Sequence, residues 1–353
     1  MATAHMLASW QGGCMAGPMN WAMKFEVCGN VSIKIERQGL FDTLQDEGRK
    51  DKGLRGFGVP TGGWFDPYHA RLANALLNND LNAPCLEITQ ISGLFRLQSR
   101  LQLAIVGPGA IIEIQTDKND ITTYKESVML NLMADASVTV RHAGAGLRSY
   151  LAVAGGWQGR PTLSSISSET PLIKGDYIIA GEPVRLVPNG SVRQLNPTLM
   201  RPTTRTETLP FIASHEFARA CKNHGRLEEA FSGWKMLTQS NRVGLRFDGP
   251  LVSLLREDWP LDPERLSQPV MPGTIQWTGS ELILLGVAGG TMGGYPTLGQ
   301  VAGVALPRLA QLTPGSEIKL KYVTVDEARN AWIQDQQQAS RTWSRIRAIS
   351  TSK

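Results

Sequence analysis

Cysteine is scarce in this chain, and so are the patterns that would give it work. The four thiols, Cys14, Cys28, Cys85 and Cys221, are scattered through 353 residues with no Cys-x-x-Cys among them. That excludes a disulfide framework or a zinc ribbon and fits reduced thiols in a cytoplasmic protein. Long apolar runs are missing: none approaches the roughly 20 residues of a membrane-spanning helix. An excess of one charge is missing too. Thirty-six Lys and Arg stand against 31 Asp and Glu, a net +5. No basic stripe with interleaved aromatics accompanies it, so nucleic acid is not an expected partner. The first 22 residues lack a basic n-region and a continuous apolar core, which argues against a signal peptide.

What is present is glycine and proline, 36 and 20 of them, spread along a 42% hydrophobic chain. That composition suits a turn-rich, mainly β fold. Val31–Ile35 and Ile318–Tyr322 alternate with period two, and 101–106, 110–115, 136–141 and 149–154 are short β-type runs between turn residues. Three helices stand out. Asp66-Pro67 caps one with His69, Leu72, Ala73 and Leu76 on its face. A second starts at Ser214 with Phe217, Ala220 and Cys221, and a third at the capping box Thr324-x-x-Glu327 with Val325, Ala328 and Trp332. Beyond Gln336 the stripe thins to Ala339, Trp343 and Ile346, and the tail is expected to fray. The polar stretch Pro197–Thr208 reads as a linker. The expected division is therefore a disordered extension over 1–30 with Met23 as the working start, a first domain over 31–200, a second over 206–325, and a C-terminal helix and tail over 326–353.

Three places could carry chemistry. Gln45-Asp46-Glu47-Gly48-Arg49 is a polar, glycine-punctuated loop, either a substrate-orienting group or a solvated loop with an internal Asp46–Arg49 pair. Glu87 stands in the apolar frame Leu86-x-Ile88, and a buried carboxylate there is either structurally paired or a site residue. The run Gly289-Gly290-Thr291-Met292-Gly293-Gly294-Tyr295-Pro296 is neither a Walker A sequence nor a dinucleotide fingerprint. It is either a tight turn or a backbone cradle for an anion. His215, Cys221 and His224 lack a fourth partner and read as exposed helix residues, so no metal is expected. Ala22-Met23-Lys24-Phe25 resembles a biotin-carrier motif only by coincidence, having no flanking strands upstream.

The chain resembles the carboxyltransferase-domain family that includes allophanate hydrolase subunit 2, the 5-oxoprolinase C subunit and the antagonist of a sporulation kinase inhibitor. The likeness runs through 39–49, Gly58-Val59-Pro60, Asp66-Pro67, Arg71-Leu72-Ala73-Asn74, Leu86-Glu87-Ile88-Thr89, 150–156, 272–276, 293–296 and 306–312. It departs from the family pattern at Gly62, Trp64 and Phe65, at Gly109, at Asn241 of Ser240-Asn241-Arg242, at Gln268, and over Ala288–Pro296, where the usual acid and amide are missing. Most of these changes remove a charge or a hydrogen-bonding group, which marks a divergent member.

The resemblance implies two cyclophilin-like β-barrel domains with a few short helices and a C-terminal helix. It implies catalytic or orienting roles for Glu87, Asp46 and Arg49, and substrate binding by Gln45, Asn74, Arg242, Gln276, Gly293, Gly294 and Tyr295. A B-type subunit similar to allophanate hydrolase subunit 1, and an A-type hydrolase beside it, are the implied partners. ATP would bind here or on the partner, and biotin would be met only in trans. The expected activity is that of a subunit of an ATP-dependent amidohydrolase, or of a biotin-dependent carboxyltransferase, acting on a small cyclic amide or ureido substrate. The alternative is a non-catalytic regulator that binds a kinase-inhibitor-like partner, with Trp64 and Phe65 exposed at the interface.

Overall fold

Alternating sequence becomes strand where one face can be buried, and that rule builds two barrels in succession. The computed structural model describes residues 32–49, 53–117, 120–144, 146–183, 192–201, 203–223, 232–249 and 261–351. The expected extension with Met23, Cys14 and Cys28, and also His224, lie outside the described residues.

The first half runs β1 (Ile33–Arg37), β2 (Phe41–Gln45), α1 (Pro67–Leu76), β3 (Cys85–Thr89), β4 (Leu94–Leu97), β5 (Leu101–Asp117), β6 (Asp120–Leu132), β7 (Ser137–His142), β8 (Arg148–Val153), β9 (Trp157–Gln158) and β10 (Tyr177–Ala180). Its ten strands curl into a nearly closed barrel in the order β2-β3-β8-β5-β7-β4-β1-β10-β9, with β6 beside β5. The runs 101–106 and 110–115 are one strand, not two. Gly107-Pro108-Gly109 makes a register shift between Val106 and Ile111, and the strand pairs β8 before it and β7 after it. Ile33, Ile35, Leu103, Ile105, Ile112 and Val138 are among the residues filling the interior.

The second half runs β11 (Thr206–Ala213), α2 (His215–Asn223), β12 (Trp234–Met236), β13 (Gly244–Asp248), β14 (Gln268–Pro269), β15 (Thr274–Trp277), β16 (Leu282–Leu285), β17 (Met292–Gly293), β18 (Thr297–Val301), α3 (Leu306–Leu309), β19 (Glu317–Tyr322) and α4 (Val325–Thr351). Seven strands close a barrel, β11-β18-β15-β16-β13-β12-β19, sealed by a parallel β11–β19 pair, and β14 and β17 form a separate two-stranded ribbon. Phe211, Trp234, Phe247 and Trp277 are buried in its core.

The helix caps are as the sequence implies. The Asp66 carboxylate accepts the Tyr68 and His69 amides, and Thr324 and Glu327 bond reciprocally. The end of α4 differs from expectation. It continues to Thr351, because Ala339, Trp343 and Ile346 bury their shared face in a cluster with Tyr68, Leu72 and Leu76 of α1. Among the described residues no helix is long and apolar enough to cross a membrane.

Candidate functional site

Glu87 lies on β3, and the β3–β8 register sets it directly opposite Tyr150. The Tyr150 hydroxyl donates to Glu87 Oε2 at 2.9 Å and itself accepts the Asp66 amide at 2.7 Å. The Phe65 amide donates to the same Oε2 at 2.8 Å. On the other oxygen, Arg242 Nη1 closes from the second barrel, and Arg148 Nε stands 3.3 Å away. Glu87, Arg148 and Arg242 are all buried, so the carboxylate is paired twice over.

Arg242 sits in the turn before β13. Asn241 Oδ1 accepts the Val243 and Gly244 amides and shapes that turn, while the Arg242 carbonyl accepts the Ala288 amide. Its Nη2 donates to Gly63 O at 2.7 Å, and Nε and Nη2 grip Glu169 at 2.8 and 2.9 Å. Burial disfavours the Arg242 charge, but Glu87 and Glu169 outweigh it and hold the guanidinium above its ordinary pKa. Burial dominates at Arg148, whose pKa falls despite Glu87. Burial, then Glu87 and Asp66, push the Tyr150 phenol well up.

A second bridge runs beside the first. Gln311 of the second half accepts the Leu147 and Arg148 amides through Oε1 and donates to Asp66 Oδ2 at 2.9 Å. Asp66 Oδ2 also meets His69 Nδ1 at 2.5 Å, and His69 Nε2 accepts the Arg201 amide at 3.3 Å. Burial works against the Asp66 charge, yet His69 and Gln311 bring its pKa below the ordinary value.

The remaining expected site residues fall into separate groups. Asp46 accepts from the Gly48 amide, the Ser165 and Ser167 hydroxyls and the Ile166 amide. Burial opposes its charge, but these bonds lower its pKa. Gln45 is buried and donates to Thr43 and Ser168 O, with its Oε1 unpartnered. Arg49 donates from Nη2 to Ser167 O, and its Nε is buried without a partner. The alternative Asp46–Arg49 pair is therefore not what organises this loop; the segment 165–168 is. Asn74, also buried, ties the end of α1 to Ala83 O and to Asn79. Gln276 donates to Tyr295 O at 3.4 Å, and a side chain on Gly293 would sit 2.4 Å from Gln276 Nε2. Gly293 pairs with Gln268 in the β14–β17 ribbon, and Gly294 and Tyr295 follow it, exposed.

Trp64 and Phe65 are not exposed. Trp64 Nε1 donates to Gln45 O. Phe65 joins the second barrel's core under the Arg148 guanidinium, 4.7 Å from its ring centroid. Phe65 thus packs across the seam between the halves, while Trp64 joins the cluster of α1 and α4. A cavity of about 750 Å³ opens beside α2, lined by Ser214, His215, Arg219, Gln268, Thr274 and Gln300 among others. Among the described residues no three His, Cys, Asp or Glu converge on a metal position.

Sequence reading missed Arg148, Glu169, Asp66 and Gln311 as members of the seam. One signal was available: Arg148 and Tyr150 alternate along a strand, so they share a face.

Residues 57–322 match the family described as carboxyltransferase domain, subdomain A and B. The 5-oxoprolinase C subunit of Escherichia coli (strain K12) is 32% identical over 315 residues, covering 86% of this chain and 95% of that protein. Urea amidolyase of Saccharomyces cerevisiae is 26% identical over 330 residues, 85% of this chain but 17% of the yeast enzyme. The crystal structure of Kluyveromyces lactis urea carboxylase resembles this one with a TM-score of 0.74 at 21% identity, over 92% of this chain and 30% of its own, a likeness of fold. The chain thus spans nearly all of the bacterial protein and a small part of each yeast enzyme.

Proposed function

The chain belongs to the carboxyltransferase-domain family, subdomains A and B together, and we propose that it is the C-type subunit of an ATP-dependent amidohydrolase. In this reading it acts with a B-type subunit, and with an A-type hydrolase beside it, on a small cyclic amide such as 5-oxoproline or on a ureido relative. The observation that carries it is the end-to-end match to a 5-oxoprolinase C subunit. The match to 17% of urea amidolyase keeps a biotin-dependent carboxyltransferase as the alternative.

The roles follow from bonding capacity. Glu87 already accepts from Phe65, Tyr150 and Arg242 and stands beside Arg148, which makes it a positioning residue for Arg242 rather than a free base. Asp46 positions the 165–168 segment in the same way. Arg49 and Arg242 are the cations that would orient or polarise the substrate. Gln45, with its unpartnered Oε1, could accept an amide N–H. Gln276 and the Gly293–Tyr295 turn would contact a second part of the ligand. ATP would bind here or on the partner; the Met292–Gly293 strand offers its phosphates no helix N-terminus.

The regulatory alternative loses one of its two motives, the exposed aromatics, because Trp64 and Phe65 are buried; the lost polar groups remain its other. Co-purified with its B- and A-type subunits, the protein should release phosphate from ATP in the presence of 5-oxoproline. Absence of turnover across 5-oxoproline and a set of ureido compounds would remove this reading.

A further inference from the structure

Arg242 is 3% exposed, yet the carboxylate covering its outer edge, Glu169, is 43% exposed. We propose that the Nε/Nη2 edge of Arg242 is a binding site for a small carboxylate, and that Glu169 occupies it as a displaceable stand-in. This deepens the amide-hydrolase reading, from which it takes only the choice of 5-oxoproline as a probe.

Geometry comes first. Two parallel bonds of 2.8 and 2.9 Å are the fork by which a guanidinium binds a free carboxylate. The fork does not depend on Glu169 for its shape. Nη1 is held by Glu87, Nη2 by Gly63 O as well, and the residue's own carbonyl by Ala288. When Glu169 leaves, the guanidinium stays aimed at the gap.

Charge comes second. Arg148 and Arg242 face Glu87 and Glu169, two against two. A monocarboxylate replaces Glu169 with no change in that balance. An uncharged amide would leave the two buried guanidiniums of Arg148 and Arg242 facing Glu87 alone, which is costly. The site therefore selects for an anion of one charge.

Release is local. Glu169 follows the anchors at Ser165, Ile166 and Ser167 on Asp46 and the Ser168–Leu44 backbone bond, and it precedes the Leu172–Asp42 bond. A side-chain rotation frees the fork while the loop stays tethered.

The test is calorimetric titration of the full chain, without ATP or partner, using acetate, 5-oxoproline and the uncharged lactam 2-pyrrolidone. Glu169→Ala should bind both carboxylates about tenfold or more tighter than the parent, the scale of one charge-assisted bond no longer contested. Its affinity for 2-pyrrolidone should be unchanged. Should Glu169→Ala not fold, Glu169→Gln removes the charge with the side chain's shape kept and is read the same way. Carboxylate affinities equal to the parent's, or a lactam that tightens equally, would overturn the proposal. Neither result touches the partner-dependent phosphate release, so the two readings fail separately.

Discussion

Glu87 and Arg242 meet across the seam of the two barrels from positions 155 residues apart, with side chains 1% and 3% exposed. The pair is the core of a polar joint to which both halves contribute, Glu87, Arg148 and Asp66 from the first and Arg242 and Gln311 from the second. What joins the two barrels also fixes the direction of the Arg242 guanidinium.

Glu87→Ala should destabilise the protein by about 3–5 kcal/mol, because Arg148 and Arg242 would be left as buried cations short of a counter-charge. Truncating Glu113, whose partner Arg141 is half exposed, should cost at most about 1 kcal/mol. Denaturant unfolding of both variants checks the contrast. Similar small losses would mean that water reaches the seam.

Asp42 should make the protein weaker at alkaline pH. Burial, only partly offset by the Gly93 amide, raises its pKa from 3.8 to about 7, and Oδ1 has no partner. A raised folded pKa contributes stability that is complete below the unfolded value of 3.8 and is lost as pH rises through about 7. Asp42→Asn is neutral throughout. Relative to the parent it should gain stability between about pH 4 and about pH 7 and hold that gain above, read as urea midpoints that diverge over that window. Parallel midpoints would show that the carboxyl is already solvated.

Much of the barrel architecture was legible because its signals are local. Period-two alternation marks β1 and β19, and side-chain chemistry marks the caps at Asp66 and Thr324. The single strand β5 was not, since Gly107-Pro108-Gly109 looks like a stop and only the pairing with β6 on both sides shows a bulge. In the site, Glu87 announced itself as a carboxylate in an apolar strand. Its bond to Arg242 did not, because neither that long-range pairing nor the grip of Glu169 on Arg242 leaves any mark in spacing. Trp64 and Phe65 misled for the same reason: next to glycines they read as surface aromatics, while the surface that covers them comes from α1, α4 and the second barrel.

Gly63→Ala should disrupt the seam far more than Gly315→Ala. Both glycines have left-handed backbone, φ +84° and +83°, so strain alone costs each about 1–2 kcal/mol. At Gly315 nothing lies within 4 Å of the added carbon, whereas at Gly63 it would be 2.7 Å from Glu47 C and Gly48 N. Those are backbone atoms and cannot rotate away, and the Gly63 carbonyl that holds Arg242 would shift with them. Thermal unfolding should show a small drop for Gly315→Ala and a large one, or no soluble protein, for Gly63→Ala.

The C-terminal helix gives the last prediction. Its first turn is fixed by the Thr324–Glu327 box, and its middle by the Arg201–Asp335 pair at 2.7 Å. Its far end rests on Trp343, tilted over Tyr68 at 6.0 Å and beneath the Arg71 guanidinium at 5.4 Å. Trp343→Ala should cost about 3–5 kcal/mol, as truncation of a buried aromatic does. Trp343→Phe should cost far less than that, because the indole Nε1 is buried with no partner and phenylalanine removes that unsatisfied donor along with some packing. Amide exchange separates docking from general stability: in Trp343→Ala the turns after Gln336 should exchange quickly while β1 and β19 stay protected. Uniform loss of protection would mean that α4 is part of the cooperative core rather than a strap laid over α1.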